Sequence, residues 1–214
     1  MEQEQMIAPY KCVVMANGSF PQTALPLRLL HEASVVIACD GAVEALDKTG
    51  ITPAAVVGDL DSLPPRFRER YADRIHIVED QEINDLTKSV RFAHRSGQQE
   101  VLILGATGLR EDHTLGNISL LMDYAPLFRR IEMLSDYGLF TPIRQTTTLT
   151  SKPGTQVSLF SLAPSGTIST TGLRWPIRNR RLTAWWQGAL NEATGNSFTV
   201  TLSPEARVIV YRTL

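Results

Sequence analysis

Four segments in the first two-thirds of the chain set carboxylates straight after an apolar run. They are Asp40-Gly41, Gly58-Asp59-Leu60-Asp61-Ser62, Asp80-Gln81-Glu82-Ile83-Asn84-Asp85, and the stretch from Gly105 to Asp112-His113. Carboxylates that converge need a counter-cation, because two unit charges about 4 Å apart repel by roughly 1 kcal/mol in water and roughly 4 kcal/mol at an effective dielectric of about 20. Mg²⁺ carried on a polyphosphate would meet that need.

Each segment has its own chemistry. Asp40-Gly41-Ala42 lies between an apolar strand and a helix, where the glycine lets backbone N–H groups approach a ligand; Asp40 reads equally well as a helix cap. Residues two apart in an extended chain point the same way, so Asp59 and Asp61 could share one cation. The plainer alternative is a surface turn in which Asp and Ser62 bond the backbone. Lys88 follows Asp85 by one helical turn, where its ammonium could contact phosphate beside a metal held by Glu82 and Asp85; a surface Asp-Lys pair competes with this. Gly105-Ala106-Thr107-Gly108 is a glycine loop between strand and helix, a common phosphate cradle. Arg110 would act as a phosphate fork, and Asp112 as a helix cap or metal ligand. No Gly-Lys-Ser/Thr follows the loop and no GxGxxG occurs, so neither a Walker loop nor a dinucleotide fingerprint is present. His113 has no second histidine at metal-ligand spacing and reads as a structural hydrogen-bonding residue.

These segments meet only if the strands before them run parallel, because the carboxyl ends then share one sheet edge and ligands bind in the crevice there. The pattern from Lys11 to about Ile143 fits βαβ units. Strands are predicted at Cys12-Met15, Val35-Cys39, Ala55-Val57, Ile75-Val78, Val101-Leu104 and Ile131-Leu134. Helices are predicted at Pro26-Glu32, Val43-Thr49, Arg66-Ala72, Asp85-Ser96 and His113-Ala125. Beyond Pro142 the texture becomes short, threonine-rich and alternating, at 146–150, 156–160, 166–171, 197–202 and 207–211, with Pro-Gly and Thr-Gly-Asn turn signals between. The expected architecture is an α/β protein: an N-terminal parallel-sheet, three-layer α/β domain over 1–142, then a C-terminal antiparallel β-sandwich over 143–214.

Composition removes several classes. With 43% hydrophobic residues, 20% charged and a formal net charge of −1 over 214 residues, the chain has ordinary globular character and no electrostatic footprint for nucleic acid or an anionic membrane. Cys12 and Cys39 fall inside apolar strands and read as buried reduced thiols. The start, Met1-Glu2-Gln3-Glu4-Gln5, lacks the basic and long apolar regions of a signal peptide, and no apolar run is long enough to span a membrane; a cytoplasmic location is expected.

The ordered set Asp40-Gly41-Ala42, Gly58-Asp59-Leu60-Asp61-Ser62, Asp80-Gln81 to Asp85 with Lys88, and Gly105-Ala106-Thr107-Gly108 with Arg110, Asp112, His113 and Asn117 resembles the thiamine pyrophosphokinases. Thr171-Gly172-Leu173-Arg174-Trp175 and Gly188-Ala189-Leu190-Asn191-Glu192 extend the resemblance over nearly the whole chain. It implies Mg²⁺-dependent transfer of diphosphate from ATP to the hydroxyl of thiamine, in a homodimer with thiamine near the subunit interface. By position, Asp40, Asp59, Asp61, Glu82 and Asp85 would form the acidic site, with Asp59, Asp61, Glu82 and Asp85 on the metal. Lys88 and Arg110 would hold phosphates, supported by Gly41, Ser62, Gln81, Gly105, Thr107, Asp112 and His113. Trp175 and Asn191 would face thiamine. The chain departs from the family's usual residues at Glu82 (usually Asp), Asn84 (Thr), Leu109 (Gly) and Leu190 (Ser). The departures at Leu109 and Leu190 leave room for a diphosphokinase of another hydroxymethyl heterocycle, such as a pterin; a non-catalytic nucleotide or thiamine-phosphate binder is the alternative of a different class.

Trp175, Trp185 and Trp186 all fall in the β-rich part. A thiazolium could stack on an indole face, although Trp185 and Trp186, as neighbours in a strand, would point to opposite faces with at least one in the core. Arg178, Arg180 and Arg181 read as a solvated face.

Overall fold

A computed structural model describes residues 7–214; the acidic start lies outside the described residues. The chain divides into two compact units between Asp136 and Tyr137.

The first unit, residues 8–136, holds six strands and five helices in alternation. They are β1 (Cys12–Met15), α1 (Ala24–Glu32), β2 (Val35–Cys39), α2 (Val43–Lys48), β3 (Ala55–Gly58), α3 (Pro65–Arg70), β4 (Ile75–Ile77), α4 (Asp85–Arg95), β5 (Glu100–Leu104), α5 (Glu111–Tyr124) and β6 (Arg130–Leu134). All pairings are parallel, in the order β6-β5-β1-β2-β3-β4. A sheet of this kind is covered on its faces, so its central strands are continuous apolar runs. Cys12, Val13, Val14 and Met15 of β1 are fully buried, as are Leu102, Ile103 and Leu104 of β5. Edge strand β4 is open: Ile77 is exposed, and the His76 ring packs at a tilt against Phe92 of α4 with ring centroids 4.3 Å apart.

Sheet order reverses at β1. The chain steps outward through β2, β3 and β4, then returns to pair β5 with the other side of β1. The loops leaving β1 and β5 therefore lie side by side at a topological switch point, where open α/β sheets bind ligands. Helix α4 packs against β2 and β3. Its start is set by Asn84, whose side-chain oxygen accepts the N–H of Thr87 at 2.9 Å, the N-cap arrangement that satisfies an otherwise orphaned donor.

The second unit contains residues 137–214 and Ile7. Strands β7 (Gly138–Ile143), β9 (Gln156–Ser161), β11 (Asn191–Glu192) and β13 (Val208–Thr213) form one antiparallel array, ordered β11-β9-β13-β7. Strands β8 (Thr147–Thr150), β10 (Ile168–Thr171) and β12 (Ser197–Leu202) form a second, ordered β10-β12-β8. Val157, Leu159 and Val210 from the first and Ile168, Phe198 and Val200 from the second share one core. This is the sandwich that the alternating threonine-rich segments imply. Strand β7 carries the second unit upstream of residue 143: every residue of Gly138–Ile143 is paired with β13. Pro142 stands opposite Ile209 in that ladder although proline offers no ladder N–H.

Candidate active site

The loops after five strands of the parallel sheet, β1 to β5, line one cavity with Asp40, at the end of β2, on its wall. Asp40 is 1% exposed, and each of its oxygens is met by a backbone donor: Gly41 N–H on Oδ1 at 2.6 Å and Leu60 N–H on Oδ2 at 2.9 Å. The loop after β3 is shaped to make the second bond. A Cβ on Gly58 would lie 2.6 Å from Asp40 Oδ2, so only glycine admits the approach, and Leu60 takes φ of 72° to turn its N–H inward. Arg68 holds the outer side of this turn through Nη2 on the Leu60 carbonyl at 2.7 Å. Burial, then the nearby charge of Asp85, raises the Asp40 pKa against the two backbone hydrogen bonds that lower it.

Lys88 answers part of the electrostatic problem posed by the sequence. It is 2% exposed on α4, and its Nζ lies 2.9 Å from Asp59 Oδ2 and 2.9 Å from Asp85 Oδ1. Burial opposes its charge, but the hydrogen bonds to both acids prevail and hold its pKa above the ordinary lysine value. The Asp59 carboxyl is held below its usual range, first by the Lys88 hydrogen bond and then by the Asp61 N–H. Asp40, Asp59 and Asp85 each offer an oxygen within 4.8 Å of the other two. Three hard carboxylate donors so grouped fit Mg²⁺, which takes all-oxygen ligands.

The structure does not bring every predicted acid into this group. Asp61 was grouped with Asp59 on the premise of an extended chain. The left-handed Leu60 instead makes a turn, in which the Asp61 N–H donates to Asp59 Oδ1 at 3.3 Å and the exposed Asp61 stays outside the three-carboxylate set. Glu82 lines the cavity beside Asp85 but is also outside that set. Gln81 reaches Asp59 Oδ2 at 3.3 Å.

The cavity has a volume of 560 Å³. Its walls include Asp40, Asp59, Ser62, Gln81, Glu82, Asp85, Lys88, Gly108, Arg110 and His113. Gly41, Asp61, Gly105, Thr107 and Asp112 are not on its walls. Gly105, with φ of 66°, lets β5 turn against β1, since a Cβ there would meet the Ala16 carbonyl oxygen at 2.5 Å. Thr107 contributes its carbonyl, which accepts the Ser19 N–H at 2.9 Å. Arg110 is paired with Asp112 through Nε at 3.1 Å and Nη2 at 2.5 Å, on the exposed rim. Asp112 also accepts the His113 N–H in the first turn of α5. Asn117 ties the assembly together: its Nδ2 donates to the Ala106 carbonyl at 2.9 Å and its Oδ1 accepts from Asn84 Nδ2 at 3.1 Å.

One wall was missed in the sequence. Ala16, Asn17 and Gly18, which follow β1, line the cavity. Gly18 donates its N–H to the Gly105 carbonyl at 2.6 Å, and a Cβ there would lie 2.5 Å from that same oxygen. The Asn17 side chain packs so closely on Gly41 that no Cβ fits between them. The signal was available, an Asn-Gly turn after an apolar strand, but it carries no charge.

In the second unit, Trp175 is 57% exposed. Buried Asn191 fixes its backbone, accepting the Trp175 N–H on Oδ1 at 3.1 Å and donating from Nδ2 to the Trp175 carbonyl at 2.7 Å. Leu190 is exposed with φ of 60°. Trp185 and Trp186 lie in a single 3₁₀ turn, not a strand, and the expectation of a core position fails: Trp186 is 75% exposed and Trp185 also reaches the surface, touching the Phe160 ring at 5.6 Å between centroids. Arg178, Arg180 and Arg181 are exposed.

Two family models match in chain order. One, described as thiamin pyrophosphokinase, catalytic domain, covers residues 27–134, and the other, thiamin pyrophosphokinase, substrate-binding domain, covers residues 138–211. The chain belongs to the thiamin pyrophosphokinase family. Their junction falls where the two compact units of this family member divide. Thiamine pyrophosphokinase 1 of Oryza sativa subsp. japonica is 35% identical over 143 residues, which is 59% of this chain and 53% of that protein. The chain spans about half the length of such curated relatives. The fold matches the solved thiamin pyrophosphokinase of Geobacillus thermodenitrificans, with a TM-score of 0.78, 22% identity and coverage of 95% of this chain and 97% of that one. It also matches that of Candida albicans, with a TM-score of 0.79, 15% identity and coverage of 99% and 96%.

Proposed function

We propose that this family member transfers a diphosphate group from ATP to the hydroxyl of thiamine, giving thiamine diphosphate and AMP. The observation that carries the reading is the convergence of Asp40, Asp59 and Asp85 within 4.8 Å on the wall of a cavity that also presents Lys88 and Arg110. Asp40, Asp59 and Asp85 would hold Mg²⁺, which would supply positive charge to offset that of the polyphosphate. Glu82 on the wall, and Asp61 just beyond the Leu60 turn, are the further carboxylates available to it.

The chain's own residues do the positioning. The thiamine hydroxyl oxygen bonds to the β-phosphorus of ATP, the bond from that phosphorus to the oxygen it shares with the α-phosphate breaks, and AMP departs with that oxygen as the hydroxyl proton is released. Such transfer asks little covalent work of the protein, so its rate comes from in-line placement and charge stabilisation. Lys88 and Arg110 supply fixed positive charge for phosphate oxygens, Arg110 with the planar fork suited to them. Gln81, Ser62, Gly108 and His113 complete the nucleotide wall, with Gly41, Gly105, Thr107 and Asp112 behind it. Thiamine stacks its cationic ring on the exposed face of Trp175, held in place by Asn191.

The active form is a homodimer. The location is cytoplasmic; among the described residues no helix is long and apolar enough to cross a membrane. Phosphorus NMR of a reaction containing Mg-ATP and thiamine tests the reading. Thiamine diphosphate and AMP should appear together in equal amounts; product only with a pterin alcohol, or tight ligand binding without any product, would overturn it.

A further inference from the structure

Lys88 makes two contacts that a metal would need. The oxygens it touches, Asp59 Oδ2 and Asp85 Oδ1, belong to the carboxylates that with Asp40 form the oxygen cluster. The side chain is not a loose surface arm. It is 2% exposed, and α4 is pinned on either side of it, by Thr87 Oγ1 against Tyr124 Oη at 2.6 Å and by Ser89 Oγ against Cys39 Sγ at 3.3 Å. An ammonium has three donors; two are spent on the acids, and Lys88 also lines the cavity where a phosphate would lie.

We infer that Lys88 is a tethered counter-cation that competes with free divalent metal for Asp59 and Asp85, so that metal enters this site together with nucleotide phosphate and not alone. The inference rests on the diphosphate-transfer reading. Before metal binds, the ammonium offsets one of three negative charges and engages an oxygen of two of the three acids. An arriving polyphosphate changes both conditions: it adds negative charge to the cavity and gives the ammonium another acceptor within its short reach. Lys88 is therefore a positioning residue for the metal as well as a phosphate contact.

The test is Mn²⁺ binding to the full chain without nucleotide, read by electron paramagnetic resonance, in wild type, Lys88→Met and Lys88→Arg. Wild type should remain less than half saturated at about 1 mM Mn²⁺. Lys88→Met should bind Mn²⁺ about tenfold tighter or more, as expected for removing a unit charge about 4 Å from a divalent ion, while binding a non-hydrolysable Mn-ATP analogue more weakly than wild type. Lys88→Arg, which keeps the charge, should resemble wild type for the metal alone. Equal or weaker Mn²⁺ binding by Lys88→Met would overturn the inference. Should that variant fail to fold, the wild-type arm decides: micromolar binding of Mn²⁺ alone, or a large thermal stabilisation by sub-millimolar Mg²⁺ alone, would overturn it as well. None of these readings uses turnover, so their failure is distinct from failure to form thiamine diphosphate.

Discussion

Leu60 donates its backbone N–H to Asp40 Oδ2 at 2.9 Å while held at φ of 72°. A leucine in that conformation costs about 1–2 kcal/mol, and the bond it makes orients the most buried acid of the site. Leu60→Gly should therefore leave turnover near wild type and alter stability by no more than about 1 kcal/mol, because relief of strain and the added freedom of the unfolded chain offset each other. Leu60→Pro removes the N–H and forbids the conformation. It should lower stability by about 2 kcal/mol or more and sharply reduce turnover, as urea denaturation and initial rates would show. Equal turnover in the two variants would mean that this bond does not position Asp40.

Asp59 carries a pH dependence whose sign follows from Lys88. Its folded pKa is lowered, chiefly by the Lys88 hydrogen bond, so it binds protons less readily in the native state than in the unfolded chain. The stability it contributes is fully present above the unfolded value of about 4 and is lost as pH falls through the lower folded value. Melting temperature measured from pH 6 down to about pH 3 should fall less steeply at the acid end in Asp59→Asn than in wild type. Parallel acid limbs would show that the Asp59–Lys88 pair is not formed in solution.

Much of this arrangement was legible in the chain, and the illegible parts share a cause. Strands β1 and β2 begin and end where their apolar runs do, because a parallel strand covered on both faces has no polar alternation to blur its limits. Asp40, Asp85 and Lys88 could be placed from strand ends and helical spacing alone. The turn at Leu60 could not, since leucine gives no sign of a left-handed conformation, and the extended geometry assumed for Asp59 and Asp61 failed with it. Asn17 and Gly18 escaped notice for lack of charge, although steric fit at Gly41 and Gly105 depends on them. Trp185 and Trp186 were read as a strand pair, but the Gln187 side chain, accepting the N–H groups of Thr183 at 2.8 Å and Ala184 at 3.2 Å, stabilises a tight turn there.

The Asn84 side chain both caps α4 and reaches Asn117. Asn84→Ala should cost about 1 kcal/mol through loss of the cap, measurable by urea denaturation. Asn84→Thr keeps a capping oxygen and gives up the Asn117 bond, so its cost should stay below about 0.5 kcal/mol. A larger loss in the threonine variant would assign the main role to the Asn117 contact.

Trp175 presents its indole ring to solvent while Asn191 fixes its backbone. Trp175→Phe should raise the KM for thiamine, by up to about tenfold for a stacking contribution of about 0.5–1.5 kcal/mol, and leave the KM for ATP unchanged. The opposite pattern would place Trp175 on the nucleotide side.

Diphosphate transfer to thiamine is proposed to run on the acids gathered around Asp40. Its most direct measurement is the rate of AMP release from saturating Mg-ATP, with and without thiamine, in wild type and Asp85→Asn. The expected result is thiamine-dependent AMP release by wild type and a fall of at least about a hundredfold in the folded variant. AMP release that ignores thiamine, or that survives Asp85→Asn at the wild-type rate, would contradict it.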